Sequence, residues 1–173
     1  MREYVFHIQS PNQGEGCGFF IGNRFYTCAH VIKECDAPYI VVDSKRVLLD
    51  KPVIYRFDEA QPDGYDIAVF DIPQVDGPLL FAKEGPEVGE TLDTISWRTF
   101  SKGTEFICCK STVRPEVEGN YYYADTDVKL KEGSSGSPLV RDGKVYGMLC
   151  AGDPGTPLCA ILSSVSIKKL LNK

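Results

Sequence analysis

The chain has 173 residues, of which 43% are hydrophobic and 25% are charged, so it can bury a core as one compact domain or as two small halves. Its net charge of −5 and its lack of a lysine or arginine block argue against nucleic-acid binding. No apolar run approaches membrane-spanning length, which argues against membrane insertion. The first twenty residues do not have the pattern of a secretion leader, so we expect a cytoplasmic protein, with a fragment of a larger precursor as the alternative.

Short runs rich in valine, isoleucine, tyrosine and phenylalanine recur along the chain, separated by 16 glycines and 11 prolines. This pattern predicts an all-β architecture. The first run, residues 4–9, alternates in polarity and contains His7, one of only two histidines. Because the run has no other polar group suited to catalysis, we interpret His7 as a structural residue.

The second histidine, His30, follows another strand-like run. A histidine with a pKa near 6.5 can take a proton from a hydroxyl near neutral pH, so His30 is the candidate general base. A buried carboxylate would fix its tautomer and stabilise the imidazolium. Asp66 is the candidate for that role because it opens an otherwise apolar strand, whereas its rivals Asp63 and Asp71 look like exposed turn or strand-end residues.

The chain contains seven cysteines, an odd number, so at least one has no intramolecular partner. Cys28 and Cys35 flank His30 and could close a small disulfide loop. Without a secretion leader, the favoured interpretation is that the cysteines are buried reduced thiols that pack as small hydrophobic groups. The cysteine and histidine spacings match no zinc motif, so we predict no metal and no other cofactor.

The sequence Gly-Ser-Ser-Gly-Ser-Pro at residues 133–138 carries the candidate nucleophile, Ser135. The two glycines allow a sharp turn that projects the Ser135 hydroxyl outward. In such a turn the N–H groups of Gly133 and Ser135 converge and can bind an oxyanion. Clusters of this composition are more often plain turns, but His30 and Asp66 upstream supply the base and the carboxylate that a serine nucleophile needs.

Together these segments resemble the trypsin/chymotrypsin-like serine proteases, of the compact kind found among HtrA-type, glutamyl-endopeptidase-type and viral 3C-like enzymes. The chain order His30, Asp66, Ser135 is the order of that family and differs from the orders of subtilisins and α/β-hydrolases. The resemblance extends over nearly the whole chain and is carried by residues 16–21, 27–30, 66–69, 86–92, 133–138 and 159–171.

The resemblance implies an all-β, chymotrypsin-like fold of two packed antiparallel six-stranded Greek-key β-barrels. The first barrel is expected within residues 1–75, followed by a linker over residues 76–87. The second barrel and a short C-terminal helix are expected within residues 88–173. Helix is expected only near the end of the chain, with Ser164 or Ser166 as the N-cap.

The resemblance also implies a serine endopeptidase that hydrolyses peptide bonds through an acyl-enzyme intermediate. His30 and Asp66 would come from the first barrel and Ser135 from the second. Gly133 and Ser135 would form the oxyanion hole. We expect the protein to be a monomer, and its substrate to be a protein or a polyprotein, including one from which the chain itself is cut.

The substrate is expected to bind as an extended strand along Cys150, Ala151 and Gly152. In the family, the base of the primary specificity pocket lies six positions before the nucleophile, which here is Lys129; a lysine there favours an acidic side chain before the cleaved bond. Alternatively Lys129 is a solvated loop residue, and Leu149 and Ala151 select small or apolar side chains. Leu149 also replaces the histidine with which related viral enzymes select glutamine.

Two other functions stay open. An inactive protease-fold module could bind an extended peptide through the same strand, although a binder has no need of three such groups. A lipase or thioesterase is less consistent with the sequence because the Gly-x-Ser-x-Gly elbow is missing. Secreted digestive enzymes carry an aspartate just before the nucleophile that pairs with a newly cut N-terminus; here that residue is Ser134, so we expect a loop that needs no activating cleavage.

Overall fold

The computed structural model describes residues 4–11, 15–58, 61–100, 103–127, 130, 133–153 and 155–173. Its elements in chain order are β1 (Val5–Ile8), β2 (Gly16–Ile21), β3 (Arg24–Thr27), α1 (Ala29–Glu34), β4 (Tyr39–Val42), β5 (Lys45–Leu48), β6 (Ile54–Phe57), β7 (Asp66–Asp71), β8 (Leu80–Phe81), β9 (Thr91–Phe100), β10 (Gly103–Glu118), β11 (Tyr121–Thr126), β12 (Pro138–Arg141), β13 (Lys144–Gly152), β14 (Leu158–Ser163) and α2 (Ser164–Leu171). The predicted all-β architecture with a short C-terminal helix is confirmed. Within these ranges no helix is long and apolar enough to cross a membrane.

The N-terminal half is a five-stranded antiparallel sheet in the order β1-β2-β3-β7-β6, together with the hairpin β4-β5. Gln9 and Tyr39 exchange two backbone hydrogen bonds of 2.9 Å, which join the hairpin to the sheet beyond β1. Phe19, Phe20 and Phe25 are completely buried and form an aromatic centre for this half. Large apolar side chains on the strands thus form one core for this half.

The C-terminal half is a closed six-stranded barrel. Its strands follow the order β12-β9-β10-β11-β14-β13, and β13 pairs again with β12 to close the circle. Closure leaves no free edge among these six strands over the paired part of each strand. The residues buried in its interior are Leu92, Val113, Tyr122, Ala124, Leu139, Leu149, Cys159 and Ile161.

The segment predicted as a linker, residues 76–87, is attached to both halves. It contains β8, which pairs in parallel with β13 of the C-terminal barrel. On the other side, Gly77 and Gly22 exchange backbone hydrogen bonds of 2.8 and 3.2 Å. The expected barrel bounds, 1–75 and 88–173, stay a prediction.

The short helix α1 corrects the expectation that helix occurs only near the end of the chain. Its N-cap, Cys28, makes no side-chain capping hydrogen bond, and its first turn has no acidic residue. The sequence therefore carries none of the usual signals of a helix start. Packing holds the helix instead, because Ala29 and Val31 are buried.

The N-cap of the C-terminal helix α2 lies one residue before Ser164, the first of the two predicted caps. Its N-cap is Ser163, whose hydroxyl accepts a hydrogen bond of 3.2 Å from the N–H of Val165. The predicted caps, Ser164 and Ser166, lie inside the helix and are buried with Ile167. The error arose because several serines in a row can each cap a helix, and only the backbone conformation selects among them.

The seven cysteines are free thiols, as favoured by the sequence, and the Cys28–Cys35 disulfide is not formed. Six of the seven are buried, whereas Cys108 is exposed. Burial in an apolar core is the ordinary environment of a cysteine that packs as a small hydrophobic residue.

Candidate active site

The ends of two paired strands bring His30 and Asp66 together. β3 and β7 are antiparallel, so the last residue of β3, Thr27, lies opposite Ala68, close to the start of β7. His30 lies in the first turn of α1, and its backbone N–H donates to Asp66 Oδ1 at 2.9 Å. Its ring Nδ1 lies 2.5 Å from Asp66 Oδ2. With Nδ1 as the donor, Nε2 is free to accept a proton.

The His30 environment is partly dry, since 22% of the His30 side chain and 16% of the Asp66 side chain are exposed. Burial by itself lowers the pKa of His30. The hydrogen bond and negative charge of Asp66, with the charge of Glu34, outweigh burial and raise the pKa above its ordinary value. The pair therefore stabilises an imidazolium.

The rival carboxylates lie elsewhere. Asp71 forms an ion pair of 3.0 Å with Arg24 on the surface, and about half of its side chain is exposed. Asp63 is exposed. Both therefore match the expectation of exposed turn or strand-end residues.

His7, which we interpret as a structural residue, has one polar partner. Its Nε2 lies 3.0 Å from Glu15 Oε2. Glu15 is eight residues from His7 and directly precedes β2. The residues next to His7 in the sequence therefore do not indicate the pair. Atoms of the Glu15 side chain lie 3.2–3.3 Å from the Cβ position that a side chain at Gly133 would have, so the pair lies beside the candidate oxyanion loop.

Several hydrogen bonds hold the backbone of the loop at residues 133–138. The Gly136 N–H donates to Leu149 O at 2.7 Å, and the Ser137 hydroxyl donates to Ser134 O at 2.5 Å. The Cys17 N–H donates to Ser135 O at 2.8 Å, which ties the loop to the N-terminal half. Whether the loop needs an activating cleavage stays a prediction.

The backbone of this loop requires glycine at two positions. Gly133 and Gly136 both have a φ of 94°, a region that side chains with a Cβ rarely adopt. A Cβ on Gly136 would also lie 1.8 Å from Cys17 O. Among the described residues, no backbone carbonyl accepts a hydrogen bond from the N–H of Gly133 or Ser135.

Ser135 lies where the two halves meet. Its hydroxyl donates a long hydrogen bond of 3.4 Å to Cys150 O. The thiol of Cys150 in turn lies 3.5 Å from the thiol of Cys28 and 3.8 Å from Asp66 O. Ser135 and Asp66 therefore both contact Cys150.

The predicted substrate strand lies at the end of β13. Leu149 and Cys150 are buried, whereas Ala151 and Gly152 are exposed. Ala151 and Gly152 pair with β14 on one side, and the last described pair with β12 on the other side ends at Met148. The opposite edge of Cys150, Ala151 and Gly152 has no strand partner in the described part of the chain, so an extended peptide can add there.

Lys129, the predicted selector of acidic side chains, lies outside the described residues. Its role therefore stays a prediction.

One potential metal-ligand group involves the same site. The ligand atoms of Cys28, His30 and Asp66 lie within 4.8 Å of one another. No sequence motif indicates this group, because Asp66 is far from the other two along the chain. Since His30 and Asp66 hydrogen-bond each other at 2.5 Å, a metal could enter only by separating them.

Comparison with known proteins identifies the family. The profile of the trypsin-like peptidase domain matches residues 16–148, which is more than half of the chain. The chain therefore belongs to the trypsin-like peptidase family. No curated protein sequence gives a significant match.

Solved structures confirm the chymotrypsin-like fold. The active form of the Rv3671c protease from M. tuberculosis superposes with a TM-score of 0.78 at 22% identity, over 99% of this chain and 81% of that chain. Mouse neuropsin, a serine protease, gives 0.73 at 15% identity, over 99% and 93%. The scabies mite inactivated protease paralogue S-D1 gives 0.71 at 14% identity, over 98% and 92%. Since active and inactivated proteins share this fold, the fold alone does not define activity.

Changing Gly136 to alanine should destabilise the protein by about 3 kcal/mol or more, because the new Cβ meets both an unfavourable φ and the Cys17 carbonyl. The free energy of unfolding in urea measures the effect. Gly89→Ala is the matched control, since Gly89 has a φ of 83° but open space at its Cβ position. It should cost about 1 kcal/mol. Equal losses in the two variants would mean that the contact with Cys17 has no energetic weight.

Proposed function

We propose that this chain is a serine endopeptidase in which Ser135 is the nucleophile, His30 the general base and Asp66 the residue that orients His30. The main support is the double hydrogen bond from His30 to Asp66, beside a glycine-bounded turn that carries Ser135. Each carboxylate oxygen of Asp66 contacts one nitrogen of His30, so the imidazole is held in one orientation. Membership of the trypsin-like peptidase family is consistent with this chemistry.

In the first step, His30 Nε2 removes the proton of the Ser135 hydroxyl while Oγ attacks the carbonyl carbon of the peptide bond. The hydrogen bond from this hydroxyl to Cys150 O is 3.4 Å long and therefore weak, so it opposes rotation of the serine toward His30 only slightly. Catalytic hydrogen bonds commonly tighten only when substrate is bound.

The negative charge that develops on the carbonyl oxygen is stabilised by the N–H groups of Gly133 and Ser135. The imidazolium of His30, held by Asp66, then gives its proton to the leaving amine, and the acyl group stays on Ser135. Water repeats the sequence with His30 again as base, and the acid product is released.

We propose further that the substrate is a protein segment in extended form that pairs with Cys150, Ala151 and Gly152 as an added strand. Support comes from the unpaired edge at the end of β13 and from the position of Cys150 beside the Ser135 hydroxyl. A strand that pairs with this edge would lie near the Ser135 hydroxyl, which contacts the Cys150 carbonyl. Residues with exposed backbone at a sheet edge are the usual site of such pairing.

Ser135→Ala should abolish labelling by a fluorophosphonate and lower kcat by on the order of a million-fold, because the atom that forms the acyl-enzyme is removed. Labelling and the cleavage of a proteome-derived peptide library, read by mass spectrometry, measure the two effects. Ser134→Ala and Ser137→Ala are controls of register and should both keep the label on Ser135.

Loss of the label in either control, with Ser135→Ala still labelled, would identify a different nucleophile. A wild-type protein that binds extended peptides but cleaves none of the library would instead favour the inactive peptide-binding module.

Activity should fall as the pH decreases through the pKa of His30, because the imidazolium cannot accept the Ser135 proton. Asp66 raises this pKa above 6.5, so the midpoint of the acidic limb of kcat/KM should lie above 6.5. Asp66→Asn should move the midpoint to lower pH and reduce kcat by about 10⁴-fold. A rate that is constant from neutral pH down to about pH 5 would exclude His30 as the base.

We also propose that the pocket prefers an acidic side chain before the cleaved bond, on the basis of Lys129 in the sequence. Peptides that differ only at this position should be cleaved about ten-fold faster with glutamate than with leucine, and Lys129→Glu should reverse the order. Lys173→Glu is the control for a change of net charge and should leave the preference unchanged. Equal rates for both peptides, or an unaltered preference in Lys129→Glu, would exclude Lys129 as the selector.

A further inference from the structure

Two cysteines from different halves of the fold meet beside the His30–Asp66 pair. Cys28 caps α1 in the N-terminal half, and Cys150 lies on β13 of the C-terminal barrel. Their Sγ atoms are 3.5 Å apart, although the residues are 122 positions apart in the chain.

Both thiols are buried and only weakly held. Cys28 is completely buried, and its thiol lies 3.3 Å from Leu149 O. Cys150 is 6% exposed, and its thiol lies 3.5 Å from Met148 O and 3.8 Å from Asp66 O. Thiols are poor hydrogen-bond donors, so these contacts do not commit either sulfur to one rotamer.

We propose that Cys28 and Cys150 form a reversible disulfide that joins the two halves of the fold beside the His30–Asp66 pair. The bond requires the sulfurs to approach from 3.5 Å to about 2.05 Å. Its formation does not require protease activity, because neither sulfur takes part in the proposed reaction.

The oxidant is a low-molecular-weight disulfide such as glutathione disulfide. Cys150, the more exposed of the two, loses its proton and attacks one sulfur of the oxidant, which releases one thiolate and forms a mixed disulfide. Cys28 then loses its proton and attacks the Cys150 sulfur, which releases the second thiolate. Two protein thiols are oxidised, one small disulfide is reduced to two thiols, and the two protons are taken up by the released thiolates.

The surroundings make this exchange slow in both directions. Burial, followed by the neighbouring Cys150, raises the pKa of Cys28 well above its ordinary value, so its thiolate is scarce at neutral pH. The same burial shields the finished bond from reducing thiols. The state of the pair therefore follows sustained changes in the surrounding redox conditions rather than brief ones.

The disulfide would constrain the contact between the two halves of the fold beside the candidate site. Cys28 lies two residues before His30, and the carbonyl of Cys150 accepts the hydrogen bond of Ser135. A covalent link between Cys28 and Cys150 thus joins the segment that carries His30 to the strand that contacts Ser135. It also closes a loop of more than a hundred residues, which restricts the unfolded chain strongly.

The experiment uses the full chain with Cys108→Ser, since Cys108 is the exposed cysteine and would otherwise capture glutathione. One sample is reduced with dithiothreitol, and the other is equilibrated with excess glutathione disulfide. Oxidation should lower the mass by about 2 Da and yield a linked peptide pair that contains Cys28 and Cys150. The urea midpoint should rise by about 1–2 M and return to the reduced value when dithiothreitol is added.

Three further variants sharpen the result. Cys35→Ser removes a buried cysteine close to Cys28 in sequence and should keep the link and the shift, whereas Cys150→Ser should lose both. Ser135→Ala should form the link as readily as the parent, which separates this outcome from that of the proposed protease activity. If Cys150→Ser does not fold, the oxidised and reduced parent samples decide the matter.

Oxidised protein in which iodoacetamide still alkylates Cys28 and Cys150 after denaturation would overturn the proposal, as would a link from Cys28 to Cys35. A link between Cys28 and Cys150 that leaves the urea midpoint unchanged would overturn the tethering role.

Discussion

The site depends on one carboxylate that holds one histidine twice. Asp66 accepts from the backbone N–H of His30 and lies within hydrogen-bonding distance of its ring Nδ1. The first contact fixes the main chain of α1 relative to β7, and the second fixes the ring on that main chain. Because both contacts start from the first residue of β7, the pairing of β3 with β7 determines where the free Nε2 points.

A second constraint is the close contact between the two halves at residues 133–138. The Cys17 N–H donates to Ser135 O, and the Cys17 carbonyl occupies the space that a Cβ on Gly136 would need. The candidate nucleophile is therefore positioned by the N-terminal half, although it belongs to the C-terminal half. Trp97 strengthens this contact, since its Nε1–H donates to Val5 O at 2.9 Å. Relative movement of the halves would displace the serine and the histidine from each other.

The sequence predicted the all-β fold, and it failed at contacts between distant residues. Strand patterns, glycine turns and the order of three motifs are local signals, and they were sufficient for the all-β architecture. The His7–Glu15 pair and the Cys28–Cys150 contact depend on how strands and halves pack. Helix α1 was missed for a related reason, because packing of Ala29 and Val31 stabilises it without a capping residue.

The choice between the two functions, an enzyme or a peptide-binding module, depends on the free-energy cost of partly burying the His30–Asp66 pair. A module that only grips an extended peptide needs the open edge of β13, and that edge requires no ionisable group. Withdrawing the Asp66 carboxylate and the His30 imidazole from water costs free energy that their mutual hydrogen bond only partly recovers. The positive φ values at Gly133 and Gly136 would add backbone strain for any other residue type. These costs are useful to a chain that must stabilise an imidazolium and an oxyanion at the same moment, and they bring no advantage to a passive binder.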